Sequence, residues 1–226
     1  LGATGWGNRE WLGQWYPTGT PANEFLRPYA RQFGTIEFNS THYRIPDSDT
    51  VARWYQLSCP DFYFCPKVPQ VISHRQRLRG DFSLTREFTE VIRGMLEKLG
   101  PIFLQLPENY APTAVGDILS FLDQWPGDLP LHLEFRHPDF FNGHESAEFL
   151  WAQMQQRLIG TVLTDVAGRR DVNPMRLTTP DLVLRFVGNG LHPSDYERAE
   201  KWAKRLAGWS RQGLRQAHIF LHQPDN

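Results

Sequence analysis

Two periodicities alternate along the chain. Short β-rich runs occur at Leu1 to Gly5, Thr35 to Asn39, Phe62 to Lys67, Ile102 to Leu106, Leu131 to Arg136, Ile159 to Asp165, Leu182 to Val187 and Ala217 to His222. Between them, apolar residues recur at the i, i+3, i+4 spacing of amphipathic helices: Phe88, Val91, Ile92, Met95, Leu96 and Leu99, stopped by Gly100 and Pro101. Three further stripes follow: Val115, Ile118, Leu119 and Leu122; Leu150, Trp151, Met154 and Leu158; Tyr196, Ala199, Trp202, Ala203, Leu206 and Trp209. Thr20 and Pro21 read as N-cap and first helical residue, and Asp47 or Ser48 opens a short helix toward Tyr55. Most strand ends lie about 30 residues apart, one βα unit. The pattern predicts an α/β fold, a parallel (β/α)8 TIM-type barrel forming one domain over residues 1–226.

Two intervals depart from a regular repeat. The stretch from Asp165 to Leu182 is short and holds Gly168, Pro174 and Pro180, which predicts a vestigial sixth helix or a loop. The sequence ends at Asn226 directly after the eighth strand, so an eighth helix is expected to be missing. Leu1 opens on a strand with no basic or apolar leader, which reads as a trimmed start without a signal peptide.

Composition narrows the class further. Hydrophobic residues are 40% and charged residues 22%, which excludes a disordered or fibrous chain. No apolar run reaches the ~18 residues of a membrane span. The net charge of -1 gives no field for nucleic acid, so such a partner is only weakly supported. Cys59 and Cys65, six apart, form neither a C-x-x-C arrangement nor a zinc spacing and read as reduced, buried thiols of a cytoplasmic protein. Only Lys67, Lys98, Lys201 and Lys204 are lysines among 24 cations, so a strand-end lysine at 67 needs a reason.

In parallel barrels the chemistry sits at the C-terminal ends of the strands. There the sequence places Glu37 and Asn39, Lys67, Gln105, His132 with Glu134 and Arg136, Asp165, Arg185, and His218 with His222. Charges gathered in a mouth must pair or meet a ligand. The following loops add His74, Arg75, Arg77 and Arg79, and Gly188, Asn189 and Gly190; Trp6, Trp11, Trp15 and Tyr16 could stack on a sugar or base.

The blocks Gly2 to Trp6 with Trp11, Glu37-Phe38-Asn39-Ser40-Thr41-His42-Tyr43, Lys67 with Ile72-Ser73-His74, Gln105-Leu106-Pro107 and Glu134-Phe135-Arg136-His137-Pro138 resemble the YecE-like family, domain of unknown function 72. The resemblance runs from Leu1 to about Val187 and implies a TIM-like barrel, with no reaction to carry over. It departs late. The family's Arg-x-His-Gly is Arg185-Phe186-Val187-Gly188 here, and its Asn-rich strand-eight ending is Leu221-His222-Gln223.

Three functions compete. The first is an enzyme or binder for a small anionic ligand, such as a phosphorylated sugar or nucleotide-like compound. Here Lys67, Arg136 and Arg185 clamp charge, Asn39, Gln105, His74, Asp165 and Trp6 bind substrate, and Glu134 or Glu37 is the general acid/base of a hydrolase or lyase. No cofactor is required. The second is a metal-dependent phosphodiesterase resembling endonuclease-IV-like barrels, with a divalent metal on Glu37, Glu134, Asp165, His137 and His222; the three cations oppose it. The third is a non-catalytic barrel binding nucleic acid or protein through the Arg-rich loop and tryptophans. A plainer alternative stands beside all three, in which Glu37 and Glu134 only neutralise Lys67, Arg136 and Arg185. The sequence gives no oligomeric state. It carries neither a nucleophile elbow nor the facing carboxylates of a retaining glycosidase.

Overall fold

The computed structural model describes residues 1–167 and 175–223. Gly168, Pro174 and the residues after Gln223 therefore lie outside the described residues, and with them most of the expectations about a sixth and an eighth helix. All eight expected strands form: β1 (Gly2–Ala3), β2 (Thr35–Phe38), β3 (Tyr63–Pro66), β4 (Ile102–Gln105), β5 (Leu131–Glu134), β6 (Gly160–Val166), β7 (Asp181–Val187) and β8 (Gln216–His222). They run in one sheet, ordered β3-β2-β1-β8-β7-β6-β5-β4, with parallel neighbours throughout. The remaining seam, β3 against β4, is joined by Val68 N donating to Phe103 O at 2.9 Å and Gly100 N donating to Phe64 O at 2.8 Å. The result is a nearly closed (β/α)8 barrel.

Strand parity sorts the side chains into a lumen and an outer shell. Cys65, Phe103, Val162, Val183 and Phe220 fill the middle of the lumen. Below them lie Thr35, His132 and His218, all buried. Gly160 is required at this level, because a Cβ on it would stand 2.2 Å from His132 Nε2. The outward residues, such as Ile102, Leu104, Leu131 and Leu133, pack under the helices. A fully buried side chain of this size contributes about 1.5–3 kcal/mol.

Among the described residues seven α-helices clothe the barrel: α1 (Leu26–Gln32), α2 (Ser40–Tyr43), α3 (Ser48–Leu57), α4 (Ser83–Ile92), α5 (Val115–Gln124), α6 (Glu145–Gln156) and α7 (Pro193–Arg211). Asp47 caps α3 by accepting from Thr50 N at 2.7 Å, as its position predicts. Two helices end earlier than their stripes suggest. After α4 the chain tightens into a 3-10 segment, Arg93–Lys98, where Leu96 is exposed with φ 51°; Leu158, at φ 55°, is likewise exposed beyond α6. A left-handed backbone turns these leucines out of the helical stripe. The face of α7 is also rotated from expectation. Tyr196 and Ala199 are exposed, and the inward positions are Asp195, Arg198 and Trp202.

Candidate functional site at the barrel mouth

At the C-terminal ends of the strands the lumen becomes polar. Arg185 of β7 is its centre. Its Nε and Nη2 donate to Glu37 Oε2 and Oε1 at 2.9 and 3.0 Å, and its Nη1 donates to both oxygens of Glu134 at 3.1 and 3.0 Å. Glu37 also accepts from Asn39 Nδ2 at 2.9 Å and His222 Nε2 at 2.7 Å. Glu134 also accepts from Gln105 Nε2 and Arg136 Nε, both at 3.0 Å. Five strands thus meet on one ionic network, with Glu37 and Glu134 almost wholly buried.

Burial alone would raise both carboxyls. At Glu37 the charge of Arg185 and the bonds from His222 and Arg185 outweigh it, and at Glu134 the charges of Arg185, Arg136 and Lys67 do the same, so both are held below the usual carboxylate range. Burial would lower Arg185, and the two carboxylates raise it instead. Glu37, Glu134 and Arg185 are therefore charged at neutral pH.

Lys67 stands apart from it. It is 7% exposed, and its Nζ makes no hydrogen bond or ion pair among the described residues; its aromatic neighbour is Phe103, whose ring centroid lies 5.7 Å away. Burial, and then Arg185, bring its ammonium down to about 8 against the opposing pull of Glu134 and Glu37. Its backbone is fixed from both sides. Thr41 Oγ1 donates to Lys67 O at 2.8 Å, Lys67 N reaches Thr41 Oγ1 at 3.0 Å, and the next carbonyl, Val68 O, is held by His42 Nδ1 at 2.8 Å. Here lies the physical content of the Glu37 to His42 block: Glu37 and Asn39 build the network, while Thr41 and His42 pin the end of β3.

His74 follows on a π-helical turn, Val71–Arg75, a geometry found often at functional sites. Its Nδ1 lies 2.8 Å from Ser73 Oγ, which in turn donates to Pro69 O at 3.4 Å; that pattern places the ring proton on Nδ1 and leaves Nε2 as an acceptor. Burial and then the charges of Lys67 and Arg136 lower His74, keeping it neutral. His74, Gln105, Leu106, Pro107, Glu108, Asn109 and Arg136 line an open groove of about 400 Å³. Arg136 is 37% exposed there, and no acceptor engages its Nη groups among the described residues.

Glu37, Asn39, Lys67, Gln105, Glu134, Arg136 and Arg185 are therefore brought together as the strand ends predict, with His74 beside them. Two expected members are not. Asp165 sits one position out of parity, since Val162 and Thr164 of β6 face the lumen. Its carboxylate points outward, accepting from Arg198 Nη1 at 3.1 Å and Trp202 Nε1 at 2.6 Å. Trp6 stacks on Phe38 with centroids 5.0 Å apart, on the outer face of β2, where Trp54 closes the cluster. The glycine loop after β7 is occupied by its own chain, with Asn189 N donating to Asp195 Oδ2 at 2.7 Å. Arg77 and Arg79 bind Asn109 and Asp117. Of the expected metal ligands, His137 contacts Asp139 and Asp165 faces outward, while Glu37, Glu134 and His222 share the network on Arg185; no group of three or more His, Cys, Asp or Glu among the described residues is arranged to hold a metal ion. His222, expected at the strand ends and as a metal ligand, is a partner of Glu37; its shared strand-eight face with His218 is the sequence signal.

A family model described as "Protein of unknown function DUF72" matches residues 1–226. The UPF0759 protein YecE of Escherichia coli K12 is 31% identical over 218 residues, covering 88% of this chain and 79% of that protein, and the O157:H7 protein gives the same figures. A crystal structure of a DUF72 family protein, EF0366 of Enterococcus faecalis V583, superposes with a TM-score of 0.77 at 19% identity over 98% of this chain and 87% of that one. A second crystal structure of the same protein gives 0.71 at 18% identity over 87% and 85%. No helix among the described residues is long and apolar enough to cross a membrane.

Proposed function

This chain belongs to the DUF72 family, and from that premise we propose that its barrel mouth binds a small anionic ligand, one carrying a phosphate or carboxylate group, on Lys67 and Arg136. One observation carries the reading. Three cations face two carboxylates in the mouth, both carboxylates are engaged by Arg185, and among the described residues Lys67 and the outer end of Arg136 have no acceptor, with Arg136 lining an open groove. A buried ammonium without an acceptor favours an incoming anion, and the solvent-facing Nη groups of Arg136 offer that anion a second contact. His74 and Gln105 supply neutral polar contacts at the groove wall. In this reading Glu37 and Glu134 hold Arg185 in place and shape the floor of the site. Neither is available as a general acid, since each is ionised and its oxygens already accept hydrogen bonds.

Inorganic phosphate is expected to raise the unfolding midpoint in a concentration-dependent way, adding about 2.7 kcal/mol at a hundred times its Kd. Lys67→Ala and Arg136→Ala are each expected to lose most of that increment while remaining folded without phosphate. A midpoint that ignores phosphate, or a Lys67→Ala protein that keeps the full increment, rejects the anion site.

A further inference from the structure

We propose that Lys67 is an amine nucleophile that forms a Schiff base with the carbonyl carbon of a small anionic aldehyde or ketone seated in the barrel mouth. The inference deepens the anion-site reading and rests on it: the anionic group meets Arg136, and the carbonyl meets Lys67.

Two of the four lysines are buried, Lys67 at 7% and Lys98 at 5% exposure. Lys98 is fully used. Its Nζ donates to Tyr55 O at 2.7 Å, Ser58 O at 2.9 Å and Ser58 Oγ at 3.0 Å, and lies 4.2 Å from the centre of the Tyr55 ring. Three donors with three acceptors make a structural ammonium. Lys67 has none of these, although Glu37 and Glu134 are close enough to act on it electrostatically. Arg185 occupies both carboxylates first, with a planar fork that an ammonium cannot match. Nor is the Lys67 nitrogen among the fully enclosed polar atoms that lack a partner, so it keeps contact with solvent at the mouth.

An ammonium needs acceptors; an amine with a free lone pair does not. A lysine enclosed by the barrel, deprived of hydrogen-bond acceptors and set beside Arg185 is in an environment where the neutral amine becomes accessible. Among the described residues the Phe103 ring, 5.7 Å away, is its one attraction for the ammonium besides the distant pull of the two carboxylates. The ammonium's fall to about 8, caused first by burial and next by Arg185, agrees with the geometry. The rigid backbone at residue 67, tied to Thr41 and Phe38, limits the directions from which the side chain can approach a substrate.

The step balances without a further reactant. The lone pair of neutral Lys67 Nζ forms a C–N bond to the carbonyl carbon, and the π pair moves to oxygen, which takes up the proton released by nitrogen. The carbinolamine then loses its hydroxyl as water, using the second nitrogen proton, and the C=N bond forms. Nothing is oxidised or reduced.

Borohydride reduces such an imine to a stable secondary amine, so the site can be read by peptide mass analysis. The wild-type protein, treated with glycolaldehyde phosphate and sodium borohydride, is expected to carry the label on Lys67 ahead of Lys98, Lys201 and Lys204. Inorganic phosphate should suppress that label, and propionaldehyde, which has no anionic group, should label Lys67 far less. The Lys67→Arg variant keeps a cation and is expected to keep most of the phosphate stabilisation while losing the preferred label. If phosphate stabilises the wild type but the label follows exposure, falling on Lys201 and Lys204 with Lys67 untouched, the nucleophile is rejected and the anion site stands. If Lys67 is labelled equally by propionaldehyde and phosphate neither competes nor stabilises, the anion site fails and the substrate class proposed here is overturned with it.

Discussion

Arg185 accounts for the polarity of the barrel mouth. Four hydrogen bonds run from its guanidinium to Glu37 and Glu134, so three buried charges exist only as a set. Such a set contributes modest net stability, yet removing one member leaves an uncompensated charge in a low-dielectric site. Glu134→Gln keeps the shape and removes the charge, and is expected to cost about 3 kcal/mol, roughly 6–12 °C in Tm for a chain of this length. Thermal and urea unfolding check the figure; a loss below about 1 kcal/mol would show that Glu134 is not needed to neutralise Arg185. The parity of Glu37, Glu134 and Arg185 was legible in the sequence because strand period is two and the C-terminal ends of a parallel barrel face one mouth. Which carboxylate pairs with which cation was not. That pairing depends on guanidinium reach across the lumen, and it leaves Lys67 outside the network although its strand-end position matches those of Arg136 and Arg185.

At the scale of elements, the join between β2, α2 and β3 sets the position of Lys67. Thr41 Oγ1 contacts Phe38 O at 2.9 Å, Lys67 O at 2.8 Å and Lys67 N at 3.0 Å, so one hydroxyl fastens two strand ends. Thr41→Val preserves volume and takes the hydroxyl partner from Lys67 O in a buried place, while Lys67 N keeps its bond to Phe38 O at 3.2 Å. It is expected to cost about 2 kcal/mol and to weaken the phosphate response of the wild type. A Thr41→Val protein with wild-type stability and an undiminished response would remove this role. The helical stripes were legible wherever apolar residues marked the buried face, as in α5 and α6. They misplaced the face of α7. Its first inward turn carries Asp195 and Arg198, and a charged pair reads as a solvent face until its partner, Asp165, is brought alongside from a strand some thirty residues away.

For the whole molecule, three histidines from different parts of the barrel make folding sensitive to acid. Burial lowers His42, His132 and His218 to about 4 each, with the charges of Lys67 and His74 adding to the effect at His42. A folded value below the ordinary 6.5 means that the unfolded chain takes up protons first. Stability is therefore expected to fall as pH drops from about 6.5 toward 4, by up to about 3 kcal/mol for the fully enclosed His132 and by less for His42 and His218. Glu37 and Glu134 add their own loss below the normal carboxylate range, since their folded values are depressed. Urea unfolding at pH 8, 6 and 5 tests this, and equal stability at all three would contradict it. The order of the eight strands, their parallel sense and the end at which charge collects followed from the sequence alone, because hydrophobic period and unit length act locally and repeat along the chain. The outward turn of Asp165, the burial of Trp6 among outer aromatics and the isolation of Lys67 were decided by tertiary structure. Each depends on how strands from distant parts of the chain are registered around one closed lumen, where space and hydrogen-bond acceptors are shared by all.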